Sequence, residues 1–291
     1  MSEKIKIRLQ GHEKFPLRDG WLNKGLIIVD EEPKIFNSKE APETFGIGNN
    51  MVKSIRYWLT AFDLIVSKAS KGTELTETAQ LIKKYDLYFE DVFTLWVLHS
   101  NIANNISEAT SWYMYFNRSS LADYSKEELF ASLNLELQKY VNDQKYSEQS
   151  LKNDIDVLLN MYGKENAKSD PEEKNTSPFS ALGLVKQTDE GYSRTQPDLR
   201  LLNEWVVLYQ LATAMEGKDT ISIDQAITGE KSLGAVLQLN NVSCNYYLDR
   251  LDDLGYIRVD RTAGLDMIYR KKDFSKIDVI KTYYERAKGN A

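Results

Sequence analysis

The sequence has few of the residue types that most enzymes use for chemistry. One cysteine, Cys244, stands among 291 residues, which excludes an internal disulfide and any cysteine-rich zinc centre. Two histidines, His12 and His99, leave a catalytic triad or a histidine-rich metal site only those two side chains to draw on. The pair His12-Glu13 continues as HEKFP and lacks the second histidine of a zinc-protease helix. No apolar run approaches the ~18 residues of a membrane span. The opening MSEKIKIRLQ has no hydrophobic core and no small-residue cleavage site, so it is not expected to act as a signal peptide. A cytoplasmic globular protein without metal or cofactor is the expectation.

What is present suits that class. Hydrophobic residues make up 42% and charged residues 27%, and the length allows two domains or three small ones. The net charge of -6 is unfavourable for nucleic acid when averaged, but it is unevenly spread. Residues 1–85 hold 14 Lys+Arg against 11 Asp+Glu, and the remainder hold 23 against 32. That asymmetry points to an N-terminal face that meets an anion.

The stretch FGIGNNMVKSIRYWLTAFDLI, Phe45 to Ile65, carries the strongest pattern. At ~100° per residue, Met51, Ile55, Trp58, Leu59 and Phe62 share one arc and predict the buried side of a helix. Asn49 or Asn50 is expected to cap it. Lys53, Arg56, Tyr57 and Thr60 then fall on the free side. GIGNN matches neither a dinucleotide fingerprint nor a phosphate loop, since Met51 and Val52 stand where those signatures would continue. It leaves two readings open, a glycine turn with an asparagine cap, or backbone N–H groups that favour an anion such as a DNA phosphate. Residues 20–30 and 42–46 predict two shorter helices before it. After it, Leu64–Ser67 predicts a strand, Lys71-Gly72 a turn, and a return strand leads to a helix capped near Thr76. Short helices, a long amphipathic helix and a hairpin in that order predict a winged helix-turn-helix, with Lys68 and Lys71 on the wing.

Residues 86–165 read as helical, with Val92, Leu95, Trp96, His99 and Ile102 on one stripe and Leu151, Ile155, Leu158, Leu159 and Tyr162 on another. Trp112, Tyr113, Tyr115 and Phe116 crowd a segment without interleaved basic residues, which favours helix packing over base stacking. KENAKSDPEEKNTS, residues 164–177, is polar and aperiodic and predicts a linker, and ALGLVKQTDEGYSRT predicts a hairpin turning at Glu190-Gly191. From Asn203 the N-terminal plan recurs: three helices, then strands IRVD and MIYRKK. With Met51 aligned to Cys244, the outward positions Lys53, Arg56, Tyr57 and Thr60 correspond to Tyr246, Asp249, Arg250 and Asp253. Two aspartates repel phosphates, so the first of these helices is the one that suits a duplex. The expected fold is mostly α with small β wings. It comprises an N-terminal winged helix-turn-helix (1–85), a helical middle domain (86–165), a linker (166–178) and a C-terminal winged-helix-like domain (179–291).

The words GHEKFPLRDGWLNKG, FGIGNNMVKSIRYWLTAFDLI, YDLYFEDVFTLWVLH, SWYMYFN, SLKNDIDVLLNMYG and SPFSALGLV run in this order over nearly the whole chain. In them the sequence resembles the bacterial family labelled domain of unknown function 4007. The resemblance implies a place in antiviral defence loci, often beside genes for sulfur modification (phosphorothioation) of the DNA backbone. It supplies no catalytic residues. The expected function is non-enzymatic binding of double-stranded DNA through Asn49, Asn50, Lys53, Arg56, Tyr57, Thr60, Lys68 and Lys71, with other subunits of a defence or modification complex as further partners. The alternative is an adaptor that holds such a complex together through its winged helices. For an enzyme, the best candidates are the carboxylates of Asp30–Glu32 or of Glu90 and Asp91, with His99 as a base.

Overall fold

Apolar residues recur at helical spacing through most of the chain, and the computed structural model is mostly helical, with three small antiparallel sheets among the described residues. It describes residues 5–69, 71–142, 144–163 and 177–289. The expected linker at 166–178 falls, up to residue 176, outside them. The chain divides into two units, residues 1–194 and 195–291.

In the first unit, residues 5–20 lie outside any helix or strand and turn at residues 10–14. Then come α1 (Trp21–Glu31), α2 (Ala41–Phe45) and α3 (Asn49–Ala61), followed by a hairpin of β1 (Ile65–Lys68) and β2 (Gly72–Leu75) and by α4 (Glu77–Tyr85). Thr76 caps α4 as its position predicts, its Oγ1 accepting from the Ala79 N–H at 3.2 Å. Glycine is needed at the start of β2: Gly72 has φ +90°, and a Cβ there would lie 2.5 Å from the Pro33 carbonyl oxygen. That oxygen accepts from the Thr73 N–H at 2.7 Å, so the hairpin is tied to the turn after α1.

The middle of this unit is α5 (Val92–Asn104), α6 (Thr110–Tyr113) running into a π-helical turn (Met114–Arg118), β3 (Asp123–Tyr124), α7 (Lys126–Val141) and α8 (Glu148–Gly163). The crowded aromatics Trp112, Tyr113, Tyr115 and Phe116 are all buried. So are the five residues of the expected α8 stripe. Along α5, residues 93–103 are buried on every side, which is why its pattern is weakly amphipathic; Val92, placed on the inner stripe by its spacing, is 39% exposed. The hairpin of β4 (Val185–Thr188) and β5 (Gly191–Arg194) turns where expected, and β5 pairs with β3. The strands at 185–194 therefore belong to the first unit. The expected domain start at 179 ignores this pairing, because two residues at 123–124 carry no strand signal of their own.

The second unit contains α9 (Glu204–Ala214), β6 (Thr220–Ser222), α10 (Ile223–Thr228), α11 (Leu233–Leu237), α12 (Asn241–Asp253), β7 (Ile257–Asp260), β8 (Met267–Arg270) and α13 (Lys276–Gly289). Its sheet has the order β6-β8-β7. Helix α12 buries Cys244, Tyr247, Leu248 and Leu251 and exposes Tyr246, Asp249, Arg250 and Asp253, as the alignment to α3 predicts. Burial pushes the Cys244 thiol up to about 12.

Candidate nucleic-acid interface

The geometry of α3 follows from the two glycines in front of it. Gly46 (φ +63°) ends α2, its N–H donating to the Glu43 carbonyl at 3.0 Å. Gly48 is extended and takes the capping position of α3, its carbonyl accepting from Met51 and Val52. Among the described residues no side chain caps this helix. The expected asparagine cap is thus replaced by backbone alone: Asn49 and Asn50 are already helical, and both side chains are exposed. Uncapped N–H groups beside two exposed amides favour a negative partner over a positive one.

The outward stripe is Asn49, Lys53, Arg56 and Thr60, spaced four, three and four residues apart so that it keeps to one face. Lys53 is exposed, and its Nζ lies 3.4 Å from Asn50 Oδ1. Arg56 is half-buried; its guanidinium sits 5.6 Å over the Phe36 ring, with Nη2 3.5 Å from Ser67 Oγ on the hairpin. This holds the guanidinium in place without neutralising it. Thr60 donates its hydroxyl to the Arg56 carbonyl at 2.8 Å, so it faces a ligand as an acceptor and a methyl group. On the hairpin, Lys68 pairs with Glu74 and Lys71 is exposed. The Lys68 hydrogen bond holds the Glu74 carboxyl below its ordinary range.

Tyr57 departs from the expectation. It is 2% exposed, because the N-terminal segment, turning at residues 10–14, lies over that flank of α3. A Cβ on Gly11 would meet the Tyr57 ring at 2.3 Å, His12 meets it edge-on at 5.7 Å, and Arg8 lies 5.1 Å over it. Burial first and the Asp154 carboxylate second push the phenol well above its ordinary value. Tyr57 is a core residue, and the segment that covers it brings Lys6 and Arg8 to the surface instead. Lys6, Arg8, Lys53, Arg56 and Thr60 line one cleft of about 610 Å³ together with Glu13, Glu108 and the start of β1. Four cations against two carboxylates leave it positive. Tyr57→Ala should therefore cost about 3–5 kcal/mol of stability, whereas Tyr57→Phe should bind duplex within about twofold of the wild type in a fluorescence titration. A large loss of affinity in the Phe variant, with melting unchanged, would return Tyr57 to the interface.

The side chains named as an enzyme's best candidates do not line this cleft. Asp30 pairs with Lys83, and Asp91 caps α5 through Oδ1 and the Phe93 N–H at 2.8 Å. Asp86 is engaged nearby, accepting from the Glu90 and Asp91 N–H groups. His99 is fully buried, with Nδ1 2.9 Å from the Tyr162 hydroxyl. Among the described residues no three His, Cys, Asp or Glu side chains are grouped as a metal ion requires.

Residues 9–284 match the family described as "Protein of unknown function (DUF4007)". Two solved structures share the fold over nearly the whole chain. An "SspB crystal structure" has a TM-score of 0.84 at 21% identity and covers 99% of this chain and 90% of that one. A "Magnesium ion-bound SspB crystal structure" has a TM-score of 0.82 at 21% identity, covering 97% and 88%. No curated protein matches the sequence.

Proposed function

We propose that this chain, which belongs to the protein family of unknown function DUF4007, is a non-enzymatic protein that binds double-stranded DNA. It acts in the cytoplasm of a bacterium as part of a defence or DNA-modification system. The observation that carries the reading is the wet, unneutralised stripe Asn49–Lys53–Arg56–Thr60 beside a basic hairpin. On this reading, α1, α2, α3 and the β1–β2 hairpin act as a winged helix-turn-helix. Helix α3 enters the major groove: Asn49 and Asn50 meet base edges or phosphates at its uncapped start, and Lys53 and Arg56 contact phosphates or guanine edges. Lys71 and the partly neutralised Lys68 hold the hairpin on the backbone. The family setting implied by the sequence words makes a phosphorothioated duplex the first ligand to compare with plain DNA.

The test is a fluorescence titration with plain and phosphorothioated duplexes at two or more salt concentrations. Two to four phosphate contacts predict a log–log slope of about -2 to -4. Affinity that ignores salt would sink the reading. Because one fold relative is described as magnesium ion-bound, the titration is run with magnesium and with chelator, alongside supercoiled plasmid. Binding that survives chelation with the plasmid intact fits a binder, and magnesium-dependent strand breakage would move the protein to the nucleases.

A second reading rests on the second unit. On α12, Val242 and Tyr246 stand four residues apart on one face and are 79% and 56% exposed, an apolar face that water does not favour. It suits a protein partner, and the chain then joins subunits of the same complex. Purification with genomic neighbours that is lost in Val242→Asp and Tyr246→Asp variants would support it.

A further inference from the structure

We infer that Lys6 and Arg8 form a second phosphate-binding point of the DNA cleft, and that the Glu108 carboxylate fills it in the free protein as an internal stand-in for a backbone phosphate. The inference rests on the DNA-binding reading above and adds to it a site and its regulation. Glu108 Oε1 takes the Lys6 ammonium, and Oε2 accepts from Arg8 Nη1 at 2.8 Å. One carboxylate thus bridges two cations with both oxygens, the way a phosphodiester's two free oxygens would. The three side chains line the same cleft as Lys53 and Arg56. Glu108 is the inner partner, 18% exposed, and Lys6 the outer, 68% exposed. A ligand from solvent therefore reaches the cations before it reaches the carboxylate.

The frame around this triplet is fixed independently of the pairing. The Arg8 N–H donates to Thr110 Oγ1 at 2.9 Å, and the Glu108 N–H donates to Asn105 Oδ1 at 3.1 Å. The guanidinium also lies 5.1 Å over Tyr57. Rotation of the Glu108 side chain alone would free both cations without unfolding the segment. Burial raises the Glu108 carboxyl, and the bonds from Lys6 and Arg8 more than reverse that, so the stand-in is charged when DNA arrives. The exchange of carboxylate for phosphate makes cleft affinity lower than its four cations would allow. It also makes Glu108 a discriminator against weak anions.

The test uses the full chain, with Glu108→Gln as the principal variant. The amide keeps the size and removes the charge, so duplex affinity at low salt should rise about 3- to 10-fold. The salt slope should steepen by about one to two as Lys6 and Arg8 become available to phosphates. Lys6→Gln with Arg8→Gln in the wild-type background should lower affinity, and adding the pair to Glu108→Gln should cancel its gain. Unchanged or weaker binding by a Glu108→Gln protein with wild-type melting would overturn the inference, as would a Lys6/Arg8 variant indistinguishable from wild type. If no form binds duplex, the DNA reading fails by itself, and inorganic phosphate still decides this site. Millimolar phosphate should raise the melting temperature of Glu108→Gln more than that of wild type, and equal shifts reject the site.

Discussion

Reversing both cations of the α3 stripe, Lys53→Glu together with Arg56→Glu, is expected to weaken duplex binding at least 100-fold and to leave the fold intact. Charge-assisted hydrogen bonds contribute about 1.5–3 kcal/mol each, so the loss of two amounts to a factor on the order of 100 or more, and new repulsion adds to it. The salt slope should fall by about two, since each lost phosphate contact takes ~0.9 from it. The fold should survive because, among the described residues, Lys53 is exposed with one long contact to Asn50, and Arg56 has the Phe36 ring and a 3.5 Å approach to Ser67. Circular dichroism and melting serve as controls. Single reversals should divide the effect unequally, with Arg56 the larger, since its guanidinium is already positioned and loses less freedom on binding. Retained affinity in the double variant with a normal melt would remove α3 from the interface and leave α12 and its apolar face as the better place to look.

How far α3 could be read in the sequence shows where a single helix stops being informative. Its apolar arc named Ile55, Trp58, Leu59 and Phe62 correctly, and all four are fully buried. Burial extends beyond that arc on both sides, to Val52 on one edge and to Ser54, Tyr57 and Ala61 on the other. The reason is a second layer: the segment through Gly11 and His12 covers the Tyr57 flank, and Gly25 of α1 lies against Leu59 and Ile55. A 3.6-residue period reports one packed face. It does not report a turn of the chain from over 40 residues upstream, and only an aromatic among cations hinted at it. Met51 fails in the opposite direction, half-exposed at the helix start where the core ends. Local signals elsewhere held: Thr76 before α4 and the turn at Glu190-Gly191. What went unread, such as β3 at Asp123–Tyr124, exists because a distant strand pairs with it.

The second large effect concerns the residue that holds that covering layer in place. Asp154 on α8 is 1% exposed and accepts three hydrogen bonds: from the Gln10 N–H at 2.8 Å, from His12 Nε2 at 2.7 Å and from Ser111 Oγ at 2.6 Å. The Lys14 N–H donates to His12 Nδ1 at 3.1 Å, which leaves Nε2 as the protonated nitrogen. The three side-chain types are those of a hydrolytic triad, but the carboxylate is central and the serine donates to it. A nucleophile would need the imidazole at its hydroxyl to take the proton. The cluster instead pins the N-terminal segment to α6 and α8, and through it Arg8 and Lys6 to the cleft. Asp154→Ala leaves three donors, two of them buried, without an acceptor, and breaking a buried charged network of this kind costs about 3–5 kcal/mol. At ~2–4 °C per kcal/mol for a unit of this size, melting should fall by roughly 10–15 °C. Asp154→Asn should lose about half as much, because its carbonyl can serve His12 and Gln10 while its amide faces the serine oxygen. Limited trypsin digestion should open Lys14 in the alanine variant first, and duplex affinity should drop with the displaced arm cations. An alanine variant that melts within 2 °C of wild type would mean that the segment is held by its aromatic contacts alone, with Tyr57, Trp58 and Trp112 around His12 sufficient to keep it seated.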